Sequence, residues 1–166
     1  MQSGALCPNG GCAEYTTTGS AFAEAVRHSG EFTVAFALEV TPEDLTDSQF
    51  VPLLVLGPSL ADAGLAIGLE EGRLSVQMRD AVGGPTRSVI LGRVQNSHQI
   101  EIAFRPGRVQ AVIDGRLTKV SSDLAADAKT LPASPLFIGG APDHSSLAGR
   151  IGQLELSSRF EEATRR

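Results

Sequence analysis

Apolar side chains recur at every second position along much of this chain, in short runs separated by turn residues. In EFTVAFALEVTP, Phe32, Val34, Phe36, Leu38 and Val40 fall on one face, and Thr33, Ala35, Ala37 and Glu39 on the other. That period predicts a long strand with one face in a core. Phe50–Pro58 is almost wholly apolar and predicts a strand buried on both faces, with Pro52 at its start or at an edge. Leu65, Ile67 and Leu69, then Leu74, Val76 and Met78, predict a hairpin bending at Glu71–Gly72. Ser88–Gly92 reads as a short strand. His98, Ile100, Ile102 and Phe104 share one face, as do Val109, Ala111 and Ile113 after the Arg105–Arg108 turn. Asp114–Gly115 then returns the chain along Leu117–Ser121, completing a three-strand meander. Pro135–Pro142 and Gly149–Ser158 supply the last strands.

Helical expectations are few. Thr41 caps a single turn begun by Pro42, and Ser121–Lys129 suits a short helix over a sheet edge. Ala21–Arg27 alternates and stops at Ser29–Gly30, so it reads as a strand. With no repeat, low-complexity tract or linker, the organisation is an N-terminal segment 1–19, one domain over 20–160 and a charged tail over 161–166. A chain of 166 residues has room for one substantial core.

Composition narrows the partners. The formal net charge is −5 and there is no basic stripe, which argues against nucleic acid. No apolar run approaches the ~18 residues that span a bilayer. The opening MQSGALCPNGG lacks a secretory pattern, which suits either a cytoplasmic protein or a chain whose leader lies elsewhere. Cys7 and Cys12 flank Pro8–Gly11, a turn that brings the two sulfurs together. A disulfide favours an oxidising compartment; free thiols or a metal site are the alternatives, although the histidines, His28, His98 and His144, are scattered.

Two segments carry a family resemblance. PLFIGGAPDHSSLAGRIGQLELS (Pro135–Ser157) resembles the C-terminal signature of laminin G-like domains, and HQIEIAFRPGRVQAVIDGR resembles the central meander of the concanavalin A-like superfamily. The resemblance implies an all-β, antiparallel two-sheet jelly-roll sandwich with one concave sheet. For location, the paired Cys7 and Cys12 tilt the choice towards an exported protein: secreted, periplasmic or at the cell surface. The chain departs from the family at Arg150, where many laminin G-like domains have a cysteine.

Relatives that hydrolyse sugars need carboxylates two residues apart on one strand face. Here Glu70–Glu71 and Glu43–Asp44 are adjacent at turns, while Glu39, Glu101 and Glu155 stand alone. No nucleophile elbow occurs. The sequence therefore points away from an enzyme and towards a recognition module for a glycan or protein, at the concave sheet or the rim loops. The alternatives are a structural or interaction domain of a larger surface protein and, last, a glycosidase-like enzyme. Without Trp and with one Tyr, stacking on sugars is scarce. Outward-facing Glu39, Gln77, Arg79, Gln99, Glu101 and Gln110 are then the ligand-binding candidates. Related domains often hold a rim calcium ion; its oxygen ligands here would be Asp62, Asp80 and Asp143.

Overall fold

The computed structural model describes residues 4–6, 13–79, 86–122, 124, 128, 131, 135–144 and 146–162. Cys7, Cys12 and Asp80 lie outside the described residues, as does most of the helix expected at Ser121–Lys129. The chain enters through β1 (Gly4–Leu6), β2 (Ala13–Tyr15) and α1 (Thr16–Ser29), followed by β3 (Phe32–Glu39) and α2 (Pro42–Thr46). Then come β4 (Val51–Leu56), β5 (Leu65–Glu70), β6 (Arg73–Arg79) and β7 (Thr86–Arg93). The meander is β8 (Ser97–Arg105), β9 (Arg108–Ile113) and β10 (Arg116–Ser121), and β11 (Leu136–Ile138) and β12 (Arg150–Ser157) close the chain.

These strands form two antiparallel sheets, a seven-stranded one ordered β1-β2-β11-β4-β5-β6-β7 and a five-stranded one ordered β10-β9-β8-β3-β12. The predicted apolar faces meet between them: Phe32, Val34, Phe36, Leu38, Ile100, Ile102 and Phe104 pack with Leu65, Ile67, Leu69, Leu74, Val76 and Met78 in one core. Alternation on each strand sends the other side chains outward, which is why the fold was legible in the pattern. Two of the three predicted hairpin turns use paired left-handed backbone, Glu71–Gly72 at φ 50° and 75° and Asp114–Gly115 at 53° and 77°. Paired positive angles of this kind match the twist of the flanking strands. β1 and β2, within the first nineteen residues, belong to the seven-stranded sheet, and α1 crosses residue 19.

One expectation is corrected. Ala21–Arg27 is helix, not strand: Gly19, Phe22, Ala23 and Val26 form its buried face. Gly30, left-handed at φ 76°, ends it by donating its N–H to Val26 O. Of the two placements expected for Pro52 it takes the strand start: it is the second residue of β4, which lies between β11 and β5 and is not an edge strand. It sits at a register shift between β4 and β5, where a missing N–H is tolerated.

α2 forms as expected, and its Asp44 does more than cap it. This carboxylate is 3% exposed. It accepts from Thr41 N–H (2.8 Å), Thr41 Oγ1 (3.1 Å), Ala148 N–H (2.8 Å) and Gly149 N–H (3.0 Å). Gly149 is pressed onto the Glu39 carbonyl so closely that a Cβ there would lie 1.8 Å from its oxygen. Together these contacts fix where β12 begins, and hence where Arg150 stands beside Glu39.

Candidate functional site

The outer face of the five-stranded sheet carries the candidate site. Its register sets Gly152, Ala37 and Gln99 side by side, and in the next row Glu155, Ala35, Glu101, Val112 and Leu117. Small residues on β12 and β3 leave a shallow trough there, because neighbouring strands are only ~4.8 Å apart and nothing longer than a methyl rises from its floor. At one end lies a cavity of about 500 Å³ whose lining includes Glu39, Gln99, Asp114, Arg150, Gly152 and Gln153.

The groups at this end are organised by pairing. Arg150 Nε donates to Glu39 Oε2 at 2.9 Å, an exposed pair of modest energy that still orients both side chains. Gln153, on the β12 bulge, has φ 52°, a left-handed conformation that breaks the strand's alternation beside the trough. His98 Nε2 accepts the Gln95 N–H at 2.9 Å, so the proton must reside on Nδ1, which faces Asp114 Oδ2 at 2.7 Å. Asp114 also takes the Gln99 N–H at 2.8 Å. The hydrogen bond from His98, then that from Gln99, hold the Asp114 carboxyl below its ordinary value. With both ring nitrogens engaged, His98 clamps the turn at Asp114 and has no free nitrogen to serve as a base.

The opposite end of this face is covered. Residues 158–162 cross it as a strap. Thr33 Oγ1 donates to Arg159 O (2.7 Å) and accepts Glu161 N–H (3.0 Å), and Gln110 Nε2 donates to Glu161 O (2.9 Å). Phe160 lies under Arg105, whose guanidinium carbon is 4.6 Å from the ring centroid. Arg108 pairs with Glu162 at 3.1 Å.

The ligand-binding candidates therefore divide. Glu39, Gln99 and Glu101 share the open trough. Gln110 faces the same way but is 1% exposed beneath the strap, so it is corrected from ligand contact to strap anchor. Gln77 and Arg79 face outward on the seven-stranded sheet, across the core. Arg79 Nη2 donates to Ala61 O in the 57–64 loop, which covers a smaller apolar cluster of Val55, Ala66 and Phe137. Asp143 fastens that loop, accepting Leu60 N–H (2.8 Å) and Ala61 N–H (3.1 Å). Desolvation tends to raise its pKa, but these two hydrogen bonds, with that from its own N–H and the nearby His144, together outweigh it and the value is lowered. Asp62 lies in the same loop and meets Ser59 Oγ at 3.4 Å. No three His, Cys, Asp or Glu side chains converge as a metal cage among the described residues, and among them no helix is long and apolar enough to cross a membrane.

Arg150, Gln153, Asp114 and Gly152 were not among the candidates. A register count would have found Asp114, because β8 and β9 fold back about Pro106–Gly107 and place it across from Gln99. Gln153 carried no such signal, since its position depends on the bulge.

No protein-family model and no curated protein sequence matches the chain. Solved structures do. The binding domain of botulinum neurotoxin DC, solved in complex with rat synaptotagmin II, superposes with a TM-score of 0.69 at 10% identity, covering 96% of this chain and 40% of its own. The serotype D ligand-binding domain in complex with N-acetylneuraminic acid gives 0.59 at 13% identity, covering 80% and 34%. The binding domain of Paraclostridial Mosquitocidal Protein 1 gives 0.62 at 17%, covering 81% and 35%. At such identities the likeness establishes the fold, a two-sheet antiparallel β-sandwich. The chain spans well under half the length of these neighbours.

Proposed function

We propose that this chain is a non-catalytic recognition module, and that its ligand surface is the open trough on the five-stranded sheet. One observation carries the reading: Ala35, Ala37 and Gly152 make a low floor, while Glu39, Arg150, Gln99 and Gln153 stand around it with hydrogen-bonding groups. A low floor admits a sugar ring or an extended backbone, and the surrounding polar groups set its orientation. A glycan fits best, because its hydroxyls both donate and accept, as this mixed carboxylate, guanidinium and amide rim requires. The engagement of both His98 nitrogens supports binding over hydrolysis. The structural neighbours include domains solved with N-acetylneuraminic acid and with synaptotagmin II, in keeping with recognition of a glycan or a protein outside the cell. Kinship with laminin G-like, concanavalin A-like domains belongs to the same proposal and rests on the two sequence segments described above.

A second reading, a structural or interaction domain without a small-molecule ligand, is favoured by one feature: no aromatic platform lines the trough among the described residues. A glycan array, followed by titration of any hit with and without calcium, separates the two. Gly152→Trp is the decisive variant, because a side chain at Gly152 enters open space and would fill the trough without touching the core. Saturable binding to one sugar class that Gly152→Trp abolishes supports recognition at the trough. An empty array, or binding that survives the substitution, overturns it.

A further inference from the structure

β7 and β10 are edge strands of different sheets, and they lie against each other along one side of the sandwich, with the Thr118 methyl close over Gly92. Their sequences, TRSVILGR and RLTKVS, hold four basic residues and no acid, in a chain whose formal charge is −5. Arg116 to Val120 are five consecutive exposed residues. Leu117 and Val120, 49% and 45% exposed, are the large hydrophobic side chains left open to solvent among the described residues. Arg93 and Lys119 form no ion pair among the described residues, and the carboxylate beside Arg116 is Asp114, already hydrogen-bonded to His98.

We infer that this rim docks on an anionic phospholipid surface. Basic residues interleaved with exposed aliphatics suit a bilayer interface: the cations meet the head groups, and Leu117 and Val120 enter the boundary with the acyl chains. A nucleic acid would use the same cations but gain nothing from two aliphatic side chains, and this rim offers no aromatic ring on which a base could stack. A protein partner of ordinary affinity would need a larger, shaped interface than a projecting strand edge provides. A bilayer is flat and takes such an edge as it is.

Cosedimentation of the full chain with vesicles tests this, comparing phosphatidylcholine alone with phosphatidylcholine containing about a third phosphatidylserine. The expected result is binding to the anionic vesicles only, falling as salt rises. Removing two charges in Arg116→Gln/Lys119→Gln should weaken it by about thirtyfold, and Leu117→Ser/Val120→Ser by about tenfold. Both pairs are exposed, so melting temperatures should stay near that of the parent, and Arg159→Gln at the strap should bind like the parent. Equal binding to both vesicle types, or none, overturns the inference. So does a Leu117→Ser/Val120→Ser variant that binds like the parent, which would leave a bare charge effect shared with any polyanion.

Discussion

Replacing Asp44 with alanine removes a single carboxylate that four donors share, and the cost can be worked from the contacts. Three of those donors are backbone N–H groups, of Thr41, Ala148 and Gly149, at 2.8, 2.8 and 3.0 Å. The fourth, the Thr41 hydroxyl, can rotate elsewhere. A buried donor left without a partner costs about 1–3 kcal/mol. Taking the lower half of that range, because water can reach some of these groups once the side chain is gone, gives about 3–6 kcal/mol. For a domain of this size that corresponds to a fall in melting temperature of about 10 °C. Asparagine is the informative comparison. Its amide oxygen can occupy the Oδ2 position, which serves Thr41 N–H, Thr41 Oγ1 and Gly149 N–H, so only the Ala148 N–H meets an NH2 group. Asp44→Asn should therefore cost about 1–2 kcal/mol. Equilibrium urea unfolding of the two variants, followed by far-UV circular dichroism, reads both values. An alanine variant within about 1 kcal/mol of the parent, or an asparagine variant as unstable as the alanine one, would refute the carboxylate clamp.

Three further outcomes follow from the same contacts. Gly149→Ala should destabilise by about 2 kcal/mol or more, because its Cβ would meet the Glu39 carbonyl, whereas Gly152→Ala should stay within about 0.5 kcal/mol in thermal melts. The lowered pKa values of Asp114 and Asp143 mean that the folded state holds their protons less tightly than the unfolded chain. Their stabilisation is full above about pH 4 and is lost as pH falls through the folded values; urea midpoints measured down the acid range should drop, and less so in Asp114→Asn and Asp143→Asn. Thr33→Val keeps its shape but strands Arg159 O and Glu161 N–H, so it should cost about 1–3 kcal/mol and speed amide exchange at Glu161 while the β8 amides stay protected.

The residues explain what could be read in advance. Alternation from Phe32 to Val40 and from His98 to Ile113 fixed which side chains enter the core, because a strand has no other way to hide every second residue. The same rule misled at Ala21–Arg27. Alanines at 21, 23 and 25 alternate with larger residues, yet Phe22 and Val26 are also four apart, and the helix that Gly30 ends puts them on one buried face. Period alone cannot separate the two readings over so short a stretch. For the site, alternation found the outward residues of β3, β6, β8 and β9 but could not assign β6 to a different sheet. That assignment depends on which strands pair, a long-range property. Gln110 failed for another reason: a charged C-terminal segment reads as frayed, and the partners that order it, Thr33, Arg105 and Arg108, are distant in sequence.

The trough and the β10 half of the basic rim belong to one sheet, since β10, which carries Leu117, is its edge strand and Leu117 ends the row that begins at Glu155. If both surfaces are used together, a glycan held in the trough would be one displayed beside the same bilayer that the rim touches. Each contact alone is modest: the trough lacks an aromatic platform, and the rim offers two aliphatic side chains. Held on one rigid sheet, the second contact forms at high effective concentration, so the combined affinity can exceed either by about a hundredfold or more. Vesicles bearing both phosphatidylserine and the array-identified glycan should then bind the chain far more tightly than either component alone. Gly152→Trp and Leu117→Ser/Val120→Ser should each return binding to the level of the remaining single contact. Affinities that merely add would show that the two surfaces work separately.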